Sequence, residues 1–252
     1  MTVKAIVFDL DRTLLHTDKS ISEYTLGILR ECRKSGMLIL AATARPVRNV
    51  TEYDKMIGFD AFSALNGAAV VLPTGTVEHH IKGEDAYSVL CKLTDDPDTV
   101  VSAETSDGFF ANTDIPAWAP IIYEGFPDLP TEGRVYKIIV SNPHTDILPK
   151  VRSALTDGTY CTVANGSLVQ IMSREATKMN GIVAMLCHFG VDAGDAVYFG
   201  DDFDDVEPIR RCGLGVAVAN AIPEVKSASD AITDSNDEDG VARYIEKHLL
   251  RK

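Results

Sequence analysis

Residues 5–15 read Ala-Ile-Val-Phe-Asp-Leu-Asp-Arg-Thr-Leu-Leu. Four apolar residues run straight into Asp9-Leu10-Asp11, and Thr13 follows two places on. A short run rich in Val, Ile and Phe near the start of a chain reads as a buried strand. Its aspartates then fall where strand gives way to loop, the usual place for chemistry in an open α/β sheet. Two carboxylates at the mouth of an apolar sheet are costly unless something positive joins them. A hard divalent cation with oxygen ligands suits that role. The same pair also suits the end of a strand and the start of a turn, so the segment alone leaves both readings open.

The pattern around this motif repeats its logic. Ser20 or Ser22 can cap a helix that ends at Gly36, with Ile21, Thr25, Ile28, Leu29 and Cys32 on one face. A buried strand follows over 37–42 and runs into Thr43-Ala44-Arg45-Pro46, where Pro46 suits the first turn of a helix. A third strand, 61–65, ends in Asn66-Gly67-Ala68, and 70–72 with 76–80 flank Pro73-Thr74-Gly75 as a hairpin. From about Gly83 the rhythm changes: a helix, strands over 100–104 and 109–113, and an irregular or helical stretch around Trp118. A strand over 135–141, a helix over 146–155 and strands over 159–163 and 168–172 complete an α+β pattern with an antiparallel sheet. The first pattern then returns. A helix opened by Lys178 and closed by Gly190 precedes a strand over 196–199, which runs into Gly200-Asp201-Asp202-Phe203-Asp204-Asp205. A strand over 214–218, a short helix after Pro223 and a terminal helix from about Glu238 end the chain. The expected architecture is one α/β core of mainly parallel sheet, residues 1–81 and 174–252, interrupted by an α+β module over 82–173.

Composition narrows the function. The 252 residues are 45% hydrophobic and 24% charged, with 37 acidic against 24 basic side chains and a net charge of −13. Nucleic-acid surfaces and anionic membranes call for the opposite sign, so neither is expected as a partner. No secretory signal is expected, because the apolar run after Lys4 breaks at Asp9, and no stretch is long enough to span a membrane. Five scattered cysteines without a close pair point to a reduced, cytoplasmic protein. His79-His80 reads as a solvated strand end rather than a metal site.

Four loops collect the polar residues: Asp9, Asp11 and Thr13; Thr43 and Arg45; Lys178; and Asp201, Asp202, Asp204 and Asp205. In a parallel sheet these loops gather at one edge. Together they supply carboxylates for a cation, a hydroxyl and a fixed positive charge, which is what a phosphoryl group bound beside Mg²⁺ requires. Two aspartates on the first loop leave one free to attack phosphorus and one to move a proton. Singly, each residue has a plainer reading: Thr43 as a helix cap, Arg45 as a solvated charge, Lys178 as a surface lysine, Asp201–Asp205 as an acidic loop.

In Asp9-Leu10-Asp11-Arg12-Thr13-Leu14-Leu15, Ala42-Thr43-Ala44-Arg45-Pro46, Lys178 and Gly200-Asp201-Asp202-Phe203-Asp204-Asp205, the chain resembles the haloacid dehalogenase (HAD) superfamily. The resemblance is closest to its Cof-type phosphatases, which carry an α/β cap of type IIB. It extends through Val216–Ala221, through Pro223-Glu224-Val225-Lys226 and through Glu238-Asp239-Gly240-Val241, and Asn66-Gly67-Ala68 also fits. The resemblance implies a Rossmann-like core and an inserted cap. It implies Asp9 as the nucleophile of an aspartyl-phosphate intermediate and Asp11 as general acid/base. Mg²⁺ would be held by the Asp9 side chain, the Asp11 carbonyl and Asp201, and phosphate by Thr43 and Lys178, with Arg45 and Asp205 in support. The implied substrate is a small phosphorylated metabolite, sugar phosphates first among them. A phosphomutase and a non-enzymatic phospho-accepting signalling or binding module are the alternatives. Two positions depart from the family pattern: Arg12 stands where relatives commonly have Gly, and Asp204-Asp205 replaces the usual Asn-Asp. Trp118, Arg134 and Arg174 are possible substrate contacts, though each also suits packing or solvent.

Overall fold

A computed structural model describes residues 3–123, 134–164 and 168–250. The chain divides into two compact units, one from its two ends (up to Glu78 and from Thr177 onward) and one from His79–Ala176.

The first unit opens with β1 (Ala5–Phe8), α1 (Glu23–Lys34), β2 (Leu38–Ala42), α2 (Val47–Ile57), β3 (Ala61–Ala64) and the hairpin β4 (Ala69–Leu72) and β5 (Gly75–Glu78). The second unit follows in the chain: α3 (Gly83–Leu93), β6 (Val100–Thr105), β7 (Gly108–Ala111), β8 (Ile121–Ile122), β9 (Val135–Ser141), α4 (Leu148–Ala154), β10 (Thr159–Ala164) and β11 (Leu168–Ser173). The first unit resumes with α5 (Lys178–His188), β12 (Ala196–Gly200), α6 (Val206–Arg211), β13 (Leu214–Ala217), α7 (Pro223–Ala228), β14 (Ala231–Ile232) and α8 (Gly240–Ile245).

Eight strands form the first sheet in the order β14-β13-β12-β1-β2-β3-β4-β5. Pairing is parallel from β14 to β3 and antiparallel in the final hairpin. β1 is central and fully buried, which explains its unbroken apolar run. From β1 the chain steps through α1 to β2 on one side; β12 steps through α6 to β13 in the opposite direction. Right-handed crossovers in opposite directions place their helices on opposite faces. The loops after β1 and β12 therefore part company, leaving a crevice at the carboxyl ends of these two neighbouring strands.

The second unit is a six-stranded sheet, β10-β11-β9-β6-β7-β8, antiparallel except for β7 with β8. Its core joins Val101, Ala103, Ile138, Val140, Val169 and Ile171 of the sheet to Val89, Leu90 and Leu93 of α3 and Val151 of α4.

Several expectations shift in detail. Ser22, not Ser20, caps α1, its hydroxyl accepting the Thr25 N–H. Pro46 is the N-cap of α2 rather than its first helical residue. β3 stops at Ala64 because Leu65 and Asn66 turn into the left-handed region, with φ of 52° and 57°. Of the two readings for the stretch around Trp118, irregular or helical, the structure takes the irregular one, a turn. The terminal helix begins at Gly240, after left-handed Asp239 at φ 57°. Helix α6 and the two-residue strands β8 and β14 have no counterpart in the sequence reading, being too short for periodicity to register.

Candidate active site

Asp9 follows β1 directly and is 6% exposed. The next residues form a single π-turn, Leu10–Leu14, in which Asp11 is extended and Arg12 is left-handed at φ 59°. In that conformation a Cβ costs energy, so a glycine would sit there more easily than Arg12 does. The Arg12 side chain is largely exposed, its Nε 4.0 Å from Asp201 Oδ2. Asn220 holds the same turn by donating from its amide to the Arg12 carbonyl at 2.7 Å.

Asp201 lies at the end of β12. Thr13, 188 residues away in sequence, donates its hydroxyl to Asp201 Oδ1 at 2.9 Å. Lys178, the first residue of α5, is 5% exposed, so the reading of an isolated surface lysine is wrong here. Its Nζ lies 2.7 Å from Asp205 Oδ1 and 3.2 Å from Asp9 Oδ1. Thr177 caps α5 by accepting the Asn180 N–H at 3.1 Å, which fixes where the helix starts and so where Lys178 points.

Ligand atoms of Asp9, Asp201 and Asp205 lie within 4.8 Å of one another. Burial pushes the Asp9 carboxyl well above the ordinary carboxylate range, against the pull of Lys178. Burial, helped by the Asp205 charge, also raises Asp201 to about 6. Carboxylates held together at such cost, with oxygen as the only donor atom, fit a hard divalent cation. Asp205 is a different case. An ionised carboxylate has about four acceptor positions, and Asp205 fills four: Lys178 and Tyr198 on Oδ1, the Asp201 and Asp202 N–H groups on Oδ2. It braces the loop and the lysine with all four positions taken, which leaves Asp9 and Asp201 as the carboxylates of the cluster open to a cation. For Lys178 burial works against the charged form, but Asp205 and then Asp9 outweigh it and hold the ammonium well above its usual range.

Thr43, at the end of β2, is 1% exposed; its Oγ accepts the Arg45 N–H at 3.2 Å, and its own hydrogen has no acceptor among the described residues. Arg45 grips Asp11 in bidentate fashion, Nε to Oδ2 at 2.6 Å and Nη2 to Oδ1 at 2.7 Å, with Tyr53 5.0 Å below the guanidinium. Lys19, which sequence reasoning did not single out, donates to Asp11 Oδ1 at 2.7 Å. Burial opposes ionisation of Asp11, but hydrogen bonds from Arg45 and Lys19 prevail and lower its pKa. Asp204 receives the Asn66 amide, so the Asn66-Gly67 turn and the acidic loop are tied together. Of the other residues raised by the sequence, Trp118 packs edge-on against Phe109 at 5.8 Å. Arg174 donates to the Asp157 carbonyl. His79 lies 3.5 Å from Glu175, and His80 is exposed. Neither Tyr198 nor Lys19 carries a sequence signal, since one looks like a core aromatic and the other like a loop lysine.

The whole of this arrangement is spanned by a known pattern: the profile of haloacid dehalogenase-like hydrolases matches residues 6–245. The chain belongs to that family. Within it, the putative phosphatase YkrA of Bacillus subtilis is 28% identical over the full length of both chains. The 5-amino-6-(5-phospho-D-ribitylamino)uracil phosphatase YitU of the same organism is 27% identical over 97% of each. Among solved structures, the HAD-superfamily phosphatase BT1666 from Bacteroides thetaiotaomicron superposes with a TM-score of 0.87 at 23% identity, covering 99% of this chain and 96% of its own. The HAD subclass IIB sugar phosphatase BT4131 gives 0.85 at 20% identity, over 99% and 100%. The structural likenesses speak for the fold; family and full-length relatives make this chain a HAD-type phosphatase.

Proposed function

We propose that this HAD phosphatase is Mg²⁺-dependent and hydrolyses small phosphorylated metabolites, sugar phosphates in particular, through an aspartyl-phosphate. The observation that carries the reading is the buried Asp9–Lys178 contact of 3.2 Å beside Asp201, at the point where the sheet's connections diverge. Asp9 attacks phosphorus, forming an Asp–O–P bond as the bond to the leaving oxygen breaks, and Asp11 gives that oxygen a proton. Asp11 then takes a proton from water, whose oxygen attacks phosphorus and restores the free Asp9 carboxylate. Lys178 offsets the charge of nucleophile and phosphate, and the free Thr43 hydroxyl hydrogen orients one phosphate oxygen. Mg²⁺, held by Asp9, Asp201 and the Asp11 carbonyl, would neutralise charge on the phosphoryl oxygens.

Arg45 and Lys19 together fill three of the acceptor positions of Asp11, which orients the one left for proton transfer. The inserted unit is proposed as the cap that selects the leaving group. No helix among the described residues is long and apolar enough to cross a membrane. All five cysteines are free, in keeping with a reducing, cytoplasmic setting.

Asp9→Asn should abolish hydrolysis of p-nitrophenyl phosphate while the far-UV spectrum and melting temperature stay close to wild type; near-normal turnover would refute the nucleophile. A panel of phosphorylated metabolites, with and without Mg²⁺, identifies the substrate class, and product analysis with a sugar phosphate separates hydrolysis from transfer to a second hydroxyl.

A further inference from the structure

Asp205 is not one brace but two. Oδ2 accepts the backbone N–H groups of Asp201 and Asp202 at 2.8 and 3.0 Å and so holds the metal-side loop. Oδ1 accepts Lys178 Nζ at 2.7 Å and the Tyr198 hydroxyl at 2.6 Å, and so faces the phosphate-side cation. Tyr198 is in β12, with none of its surface exposed, between Val197 and Phe199. A phenyl ring would fill that place in the core equally well. A buried hydroxyl is an expense unless it is bonded, and this one spends its only hydrogen on Asp205. Burial, then the Asp205 charge, push its ionisation well above the usual phenol range, so it remains a donor.

We propose that Tyr198 is a positioning residue for the phosphoryl transfer described above: its hydroxyl fixes Asp205 Oδ1 so that Lys178 is shared between Asp205 and Asp9 instead of collapsing onto Asp205. With the hydroxyl removed, Oδ1 keeps a single donor, and the ammonium moves more squarely onto it and away from the nucleophile. The Oδ2 side, and with it the cation loop, is untouched. The proposal rests on the reading of Lys178 as the cation that serves Asp9 and phosphate.

The test is Tyr198→Phe in the full-length enzyme. Turnover of p-nitrophenyl phosphate should fall roughly tenfold, the scale of one hydrogen bond to a charged group. KM and the Mg²⁺ concentration for half-maximal activity should stay within about twofold, given that Oδ2 keeps its donors. Inhibition by vanadate should weaken in step with kcat/KM. In the variant's crystal structure Lys178 Nζ should lie farther from Asp9 than the 3.2 Å seen here. A variant with unchanged kcat and only a lowered melting temperature shows a purely structural hydroxyl and overturns the proposal. A Mg²⁺ requirement that shifts as far as kcat overturns the division between the two oxygens. An undisplaced Lys178 in the crystal overturns it whatever the activity. A wild type inactive on every phosphomonoester would instead sink the functional reading, and the position of Lys178 would still decide the role of Tyr198.

Discussion

Asp11 is gripped by two cations, and the two are not equivalent. Arg45 binds both oxygens through a planar fork, half-shielded and lying over Tyr53, whereas Lys19 reaches one oxygen from a left-handed turn at φ 71° and is about half exposed. Bidentate guanidinium contacts bring orientation as well as charge, which an ammonium cannot copy. Removing either cation destabilises the ionised Asp11, so its pKa rises toward the ordinary carboxylate value. Lys19→Met should therefore move the basic limb of the kcat/KM profile, where the proton of the general acid is lost, to higher pH with little loss at the plateau. Arg45→Lys should in addition lower the plateau roughly tenfold, less than the roughly hundredfold or more attributed to a positioned general acid, because the carboxyl itself remains. Stopped-flow or steady-state profiles of the two variants beside wild type check both statements; a basic limb that stays put in both would remove the pair from control of Asp11.

At the scale of elements, the start of α5 decides where Lys178 stands, and the packing that fixes it is very close. A Cβ on Gly181, one turn into the helix, would lie 2.1 Å from Ser63 Oγ of β3. That same oxygen is buried with no hydrogen-bond partner, so the close approach of helix and strand is kept at the expense of a satisfied hydroxyl. Gly181→Ala should destabilise the fold by about 1–3 kcal/mol, the usual range for overpacking, and lower kcat as the helix lifts Lys178 from Asp9. Adding Ser63→Ala should recover part of both losses, seen in urea unfolding and in turnover. A similar constraint holds Gly200, where a Cβ would meet the Asp205 side chain at 2.5 Å. The glycine ahead of Asp201 is thus required by the way Asp205 folds back beneath the loop.

For the molecule as a whole, the site is assembled by the first unit from both ends of the chain, and the acidic groups it gathers oppose its folding. Asp201 ionises at about 6 in the folded protein, against about 3.9 in an unfolded chain. Between those values the folded form holds the extra proton, so this group's contribution is present at low pH and is lost as pH rises through about 6. Burial raises Asp9 in the same direction. A divalent cation bound there would replace those protons and restore the loss. Saturating Mg²⁺ should then raise the melting temperature more near pH 8 than near pH 5, where protons compete for the same oxygens. Calorimetric scans with Mg²⁺ and with EDTA at both pH values measure the difference. Equal gains at the two values would separate the acidic cluster from metal binding.

Much of this protein was legible before any coordinates. The apolar runs that end in Asp9, Thr43 and Asp201 are local signals, because a strand buried on both faces must be apolar and must stop where charge begins. The order of these segments implied the parallel core and the α+β insertion. The elements that escaped were the shortest ones, α6, β8 and β14, and the boundaries set by left-handed residues such as Leu65 and Asp239.

By itself the sequence determined which chemical groups stand at strand ends, since hydrophobic periodicity and motif spacing are properties of neighbours along the chain. Only the tertiary structure decided what each group does for the others. It buried Lys178 between Asp205 and Asp9, filled the acceptor positions of the supporting Asp205, and drew Tyr198 and Lys19 into the site. The reason is physical: a hydrogen bond is counted where donors and acceptors meet in space, and those partners come from segments with no periodicity in common.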